Sequence, residues 1–585
     1  MSSPISEQYG IVENQNLLLE QQVAERKAAQ SVSPAEEIQS ELKDKGSGAA
    51  QGDKVSLSGT AQGLAKHQEE PVELVDGEYK VAAEVPENSE AVNMATATMK
   101  SGRTLVVDRI ISSPEGREKT NENLFGYRAN VYKPGGELEF SFIMQRDTIF
   151  NENEDGSLNV QDYIEGAETS GDDYIVGHEG KNMKGGAGDD TVILSKGEFG
   201  SVRNIDTGAG DDSIQAQGAI RNVNINTGAG NDVVQAKTHI MDSKLDTGAG
   251  DDVVKLGGGV DFSEIETGDG DDVISAKDGF YKSSVSTGRG NDIIRGNSFY
   301  GGILDMAEGD DVIEAIVVKS VVTTGSGDDI MNGGIAESVV ETGAGDDFIS
   351  GEGISHSTVN TGAGSDQIKV SHGIGNSVIN TGSGDDVLHT QSSVIGGVID
   401  TGSGDDTVYV GRGISTSDPS KESAKAVINT GAGNDSVRID GSMYKSSVNT
   451  GIGNDQIHLT TTVNSEVNAG DGNDSITFED ISRNTIIDAG DGNNIIQGGN
   501  VLNSQLVSGS GNDRIILSGD VLNSLIEMGK GNDYFKLSGN LINTVLKMEE
   551  GDDRVHIQGM AVDSDIAEGK GEDITTVDKN KRVDG

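Results

Sequence analysis

Asn224-Ile225-Asn226-Thr227-Gly228-Ala229-Gly230-Asn231-Asp232-Val233-Val234-Gln235-Ala236 is the stretch that decides how this chain is read. Before the glycines, Ile225 and Thr227 share one parity. After them, Asp232, Val234 and Ala236 share one parity. A period of two marks a strand with one face turned inward. Three other stretches agree: Asp252/Val254/Leu256, Asp513/Ile515/Leu517 and Asp533/Phe535/Leu537. The pattern predicts two short strands joined by a glycine turn. Neither strand is long enough to bury a core alone, so copies must stack.

Working outward, the same G-x-G-(D/N)-D segment returns from Asp190 to Asp573 in twenty loops, seventeen of which keep G-x-G-x-D. The departures are AEGDD (Ala307–Asp311), GDGNN (ending in Asn494) and EEGDD (ending in Asp553). A degenerate TSGDD (Thr169–Asp173) opens the series. Seventeen of nineteen spacings are 18 to 20 residues, and the 29-residue one holds an insertion at Ser415–Lys425. A fixed period of this length predicts an all-β, parallel β-solenoid (β-roll-like) of about 20 rungs. A serine column (Ser243, Ser263, Ser283, Ser338, Ser357, Ser377, Ser446, Ser465, Ser504, Ser524, Ser564) is expected to point inward. Asn464, Asn484, Asn503, Asn523 and Asn543 are expected to form a ladder at the opposite corner.

The rest of the chain reads differently. Asn14–Gln30 and a capped segment from Ser33 toward Lys45 suggest short helices in a helical or disordered leader, closed by a GSGAAQG linker. Alternating runs around Asp76-Gly77, then Arg103–Ile111 and Gly136–Met144, suggest a small β-rich domain or a solenoid cap. The expected division is leader 1–52, β-rich domain or cap 53–165, calcium-binding repeats 166–577 and polar tail 578–585. Asn151–Asp162 spaces its oxygen side chains roughly as an EF-hand loop does, but with Asn first and Asp last a polar turn is the simpler reading.

Composition narrows the function. With 97 acids against 44 bases the formal charge is −53, which repels nucleic-acid phosphates. The absence of cysteine excludes disulfides and thiolate metal sites. No apolar run is long enough for a transmembrane segment. MSSPISEQYG has no apolar stretch of the Sec type, so export, if it occurs, is expected to follow a non-Sec route. No Ser-His-Asp spacing, HExxH or P-loop is found. The rungs lack tryptophan and hold few aromatics, so no enzymatic activity is expected.

Stacking makes the loops a charge problem. Neighbouring strands lie about 4.8 Å apart, and two carboxylates at that distance repel by roughly 3.5 kcal/mol at an effective dielectric of 20. Such a column needs counter-ions. The glycines permit the backbone turns that aim carbonyls into the loop. Carboxylates with carbonyls form the oxygen-rich, flexible set that suits Ca2+ better than Mg2+. Nineteen divalent ions would bring −53 to about −15.

At these residues, TGAGDDSIQ (Thr207–Gln215) and TGAGNDVVQ (Thr227–Gln235), the chain resembles the RTX (repeats-in-toxin, hemolysin-type) calcium-binding repeat, G-G-x-G-x-D-x-U-x. The likeness covers roughly residues 170–573. It implies calcium held between successive coils by loop carbonyls and the final Asp. Carried over, the metal ligands are Asp190, Asp212, Asp232, Asp252, Asp272, Asp292, Asp311, Asp329, Asp347, Asp366, Asp386, Asp406, Asp435, Asp455, Asp474, Asp513, Asp533, Asp553 and Asp573. The motif recurs about every 20 residues instead of every 9, which implies ions on one side only. That arrangement resembles the one-sided calcium-bound solenoid of RTX adhesins. The ice-facing Thr of such adhesins is replaced here by Ala209, Ala229, Asp269, Arg289, Ser383, Ile452 and Lys530, so ice binding is not expected. The Thr column (Thr207, Thr227, Thr247, Thr267, Thr287) reads as a structural ladder.

The resemblance implies a secreted or cell-surface, calcium-dependent rigid rod in an adhesin, matrix or spacer role. The alternatives are a carbohydrate-active β-helix enzyme and a carrier for an N-terminal effector. Calcium ions are the expected partners, with a cell-surface, matrix or carbohydrate partner left open. The polar tail Asp573–Gly585 does not resemble the C-terminal signal of type I export.

Overall fold

The computed structural model describes residues 89–112, 124–144, 148–152, 158–162, 169–177, 182–194, 203–421 and 424–578. The expected leader helices, the Asp76-Gly77 hairpin and nearly all of the polar tail lie outside them. The fold is an all-β parallel solenoid of about 19 turns, with no α-helix among the described residues. It divides into two compact units, one reaching Asn297 and one running on from Leu304, with residues 298–303 shared out between them.

One turn of the first unit shows how the sequence builds the coil. Val233–Ala236 forms a strand, Ile240–Met241 a two-residue strand, and Lys244–Asp246 a third. The first two lie in one sheet and the third in the opposite sheet. The short middle segment was not expected, because two residues carry no legible alternation. A single left-handed residue makes the corner before Ser243: Asp242 has φ 49°. Asn is at ease there, and Asn464, Asn484, Asn503, Asn523 and Asn543 hold this position with φ between 46° and 52°. Their side-chain amides hydrogen-bond from turn to turn, as from Asn484 to Asn464 at 2.9 Å. Phe262, Lys282 and His356 adopt the same φ without being typical left-handed residues, so the turn, not the residue, sets this corner.

The register is one repeat per turn. Val233 pairs with Val253 and Ala236 with Leu256. In the second unit Arg514 pairs with Tyr534 and Leu517 with Leu537. The inward parity is filled as the sequence predicts: Ile225, Thr227, Asp232, Val234 and Ala236 are all buried. So is the serine column from Ser243 to Ser524, with hydrogen bonds such as Ser243 N–H to Ser263 Oγ at 3.2 Å. The insertion leaves this register intact. Thr407 pairs with Ser436 across it, and Thr416 Oγ1 donates to Ala424 O at 2.8 Å inside it.

The first unit begins with an antiparallel sheet, β1 (Ser89–Thr98), β2 (Thr104–Ser112), β3 (Leu124–Tyr132) and β4 (Leu138–Met144), in sequence order. A hairpin follows, β5 (Thr148–Glu152) and β6 (Leu158–Asp162). β5 also pairs antiparallel with Asp173–Gly177. The sheet and the first rungs share one core, in which Leu105, Val107, Tyr127 and Val131 cluster with Phe150, Tyr174, Val176 and Ile193. Asn151 faces Asn159 across the hairpin, so the segment with EF-hand-like spacing is a strand pair at both ends.

Candidate metal centre

The loop is built so that its backbone donors point along the stack. Gly228 N–H donates to Thr247 O of the next turn (3.0 Å), Ala229 N–H to Gly208 O of the previous turn (3.1 Å), and Gly230 N–H to Ala249 O (2.8 Å). Asn231 N–H donates back to Asp211 Oδ1 at 2.8 Å, and Asp232 N–H forward to Asp252 Oδ1 at 2.7 Å. With all five donors spent between turns, each buried carboxylate receives one N–H from the turn before it and none remains for its second oxygen. The glycines are required here. Gly230 has φ 136°, and a Cβ on it would stand 1.9 Å from Gly210 O.

The final Asp of each loop follows one rule. Its Oδ1 accepts the N–H of its counterpart one turn earlier, at 2.7 to 2.9 Å, from Asp190 through Asp292 in the first unit and from Asp329 through Asp573 in the second. All the proposed Asp ligands are buried except Asp573, which is half-buried. The other oxygen, Oδ2, is buried without a hydrogen bond in Asp190, Asp212, Asp232, Asp252, Asp272, Asp366, Asp386, Asp406, Asp435, Asp455, Asp474, Asp513, Asp533 and Asp553. The Thr hydroxyl five residues earlier stands beside the carboxylate, yet its single proton is directed to the next Thr carbonyl, as from Thr227 to Thr247 O at 3.1 Å. Thr324 and Thr342 donate directly to their carboxylates, Asp329 and Asp347, and at Asp212, Asp232, Asp252 and Asp272 the nearby Thr hydroxyl offsets part of the effect of burial.

Burial therefore dominates the titration of these groups. It pushes Asp190 and Asp272 up to about 8, and Asp329, Asp347, Asp406 and Asp533 up to about 7. The charges acting on Asp272 are those of other aspartates, which raise it further. A carboxylate in such a place needs either a proton or a cation.

Two variant rungs map what surrounds Oδ2. At the first loop Gly185 replaces Thr, and a Cβ on it would meet both Asp190 Oδ2 (1.9 Å) and Thr207 O (2.7 Å). At Asn494 an amide nitrogen replaces Oδ2. It donates to Gly490 O (3.1 Å), Gly492 O (3.4 Å) and Ser508 O (3.1 Å). The oxygens around this position thus come from two loop carbonyls and from the next turn. With Asp in place, the same set is four oxygens with no proton among them, which is a hard-cation site. Among the described residues no three His, Cys, Asp or Glu side chains converge, so an ion held here would depend on backbone oxygens.

The degenerate loop that opens the series supplies a carboxylate that was not among the expected ligands. Asp173, in the degenerate TSGDD, is fully buried, and its N–H donates to Asp190 Oδ1 at 2.9 Å. Burial raises it to about 6. Its own Oδ1 accepts from the Asn151 side chain of β5. The final Asp of TSGDD was the signal.

A family model for the RTX calcium-binding nonapeptide repeat (4 copies) matches residues 242–262, 323–353, 373–392, 398–416 and 482–500. The chain carries RTX calcium-binding repeats. The matched RTX segments include the loops ending in Asp252, Asp329, Asp347, Asp386 and Asp406, and also the loop ending in Asn494. Calcium is the ion of these repeats. No curated protein matches the sequence. Among solved structures, the X-ray crystal structure of a hyperactive, Ca2+-dependent, β-helical antifreeze protein from an Antarctic bacterium is similar, at 18% identity over 63% of this chain and 86% of that one, with a TM-score of 0.23. No described helix is long and apolar enough to cross a membrane.

Proposed function

We propose that the chain is a calcium-stiffened solenoid without enzymatic activity, secreted or held at a cell surface by a non-Sec route. Its role is that of an adhesin, matrix component or spacer. The division into 1–52, 53–165, 166–577 and 578–585 belongs to the same proposal. The ligands are Asp190 and its counterparts through Asp573, with the carbonyls of their own loop and of the next turn. Asp173 joins them as the first of the column.

One observation carries this reading. Fourteen buried Oδ2 atoms have no hydrogen bond, and at Asn494 the corresponding position is ringed by three carbonyls. Calcium would supply the positive charge that each rung lacks, and the carboxylates and carbonyls would orient it. When a site does not pre-exist in the unfolded chain, binding free energy becomes folding free energy.

The test is calcium titration of the whole chain by calorimetry, with circular dichroism before and after chelation. Many ions bound per chain and a strand spectrum lost on chelation are expected. One or two ions bound, or an unchanged spectrum, would remove the calcium mechanism.

A further inference from the structure

We propose that the interface between the loop Ala489–Asn494 and the next loop, Ser508–Asp513, takes no calcium and is closed permanently by the Asn494 amide. It then serves as a calcium-independent clamp inside the second unit. The inference rests on the calcium reading of the other rungs and separates one rung from them.

Asn494 is 1% exposed. Its Oδ1 keeps the role of the missing aspartate, accepting Asp474 N–H at 2.8 Å. Its Nδ2 places two protons among three carbonyls of two successive turns. An amide proton does there what a cation does elsewhere: it turns facing acceptors into a bonded set. A cation at the same point would meet an N–H instead of a carboxylate. The local backbone adjusts to this. Gly490 N–H donates to Asp488 Oδ1 at 3.0 Å, whereas Gly228 and Gly382 N–H donate to the next turn's Thr carbonyl at 3.0 and 3.1 Å. The Ser508 carbonyl instead receives the Asn494 amide.

Neutral amide ladders also link the surrounding turns. Beside the buried column, Asn493 donates to Asn473 Oδ1 at 3.0 Å and Asn512 to Asn493 Oδ1 at 3.2 Å. At the opposite corner Asn503 donates to Asn484 Oδ1 and Asn523 to Asn503 Oδ1, at 3.3 and 3.1 Å. The equivalent loop column of the first unit runs Asp211, Asn231, Asp251, Asp271 and Asn291, and sets Asp271 directly next to Asp251, with the Asp271 N–H on Asp251 Oδ1 at 3.0 Å. The segment around Asn494 therefore joins a neutral buried link to neutral ladders, where Asp251 and Asp271 of the first unit set two charges on adjacent turns. In low calcium it is the part of the solenoid that stays ordered, and the rungs on either side grow from it as calcium rises.

The test is hydrogen exchange followed by mass spectrometry on the full chain in a chelator, with ions counted by native mass spectrometry at saturating calcium. Amides of residues 474–513 are expected to exchange at least about tenfold more slowly in chelator than those of residues 232–272. Asn494→Asp should bind one calcium ion more and lose that protection in chelator. Asp272→Asn, the reverse change, should bind one ion fewer and gain protection locally. Equal exchange of the two segments in chelator, or an unchanged ion count in Asn494→Asp alongside ions bound elsewhere, would overturn the clamp. If the chain binds no calcium at all, the calcium reading fails, and the exchange comparison still decides whether the Asn494 interface is self-sufficient.

Discussion

In the antiparallel sheet Asp108 is 5% exposed; in the solenoid Asp232 is fully buried. Asp108 faces Arg128 across β2 and β3, accepts from its guanidinium at 2.5 and 3.1 Å, and accepts from Asn130 Nδ2 at 2.7 Å. Ser141 completes this group by donating to Asn130 Oδ1 at 2.7 Å. Asp232 has an N–H on one oxygen, at most the neutral Thr227 hydroxyl beside the other, and no cation among the groups that shift its pKa. The sheet places a positive charge against its buried carboxylate, while Asp232 has none among the groups that act on it. On the proposed function, the same side chain leaves one region indifferent to calcium and makes the other dependent on it. What separates them is topology. An antiparallel pair can set unlike residues opposite each other, whereas an in-register parallel stack sets each Asp above an Asp.

The largest effect should come from breaking the sheet's own pairing. Arg128→Met leaves Asp108 buried without its cation and should cost about 3–5 kcal/mol. The loss should be the same with calcium and with chelator, as measured by denaturant unfolding in both. A loss present only in calcium would erase the distinction between the two regions.

A smaller effect should follow from the loop backbone. Gly230→Ala places a Cβ against Gly210 O at a φ that side chains rarely adopt. The strain should cost about 1–3 kcal/mol. Because it pushes apart two successive loops, it should also weaken calcium binding, which titration calorimetry would register. Destabilisation with full calcium affinity would mean that the carbonyls of adjacent turns do not share an ion.

Much of this arrangement could be read from the chain. Parity placed Asp232, Val234 and Ala236 inside, and period placed Ser243 above Ser263. Both rest on local alternation, which the fold repeats without change. The EF-hand-like spacing of Asn151–Asp162 meets a strand pair instead, because spacing alone does not report which backbone carries it. Asp108 and Arg128 lie in different strands, and nothing local announces that they pair. Two-residue strands such as Ile240–Met241 are shorter than any period. Asn494 was legible only as a missing ligand. That its amide would take the ion's place depends on carbonyls from the next turn, which only the stacked structure brings together.

A further expected effect concerns protons, and it runs in opposite directions with and without metal. Burial raises Asp190 and Asp272 from 3.8 to about 8, and Asp212, Asp252 and Asp513 to about 6. A group whose folded pKa lies above its unfolded value stabilises the fold when protonated. Its contribution is complete below the unfolded pKa of about 4 and is lost as pH rises through 6 to 8. In chelator, then, the solenoid should melt higher near about pH 5 than near about pH 8, because protons partly replace the missing cations. With calcium present the order should reverse, since protons compete for the same Oδ2 atoms and apparent affinity falls on acidification. Thermal melts read by circular dichroism at the two pH values, each with calcium and with chelator, give four numbers. A crossing of the two trends is the expected result. Melting that rises with pH in chelator as well would mean that the buried carboxylates find positive charge within the chain, as Asp108 does, and the contrast between sheet and solenoid would fail.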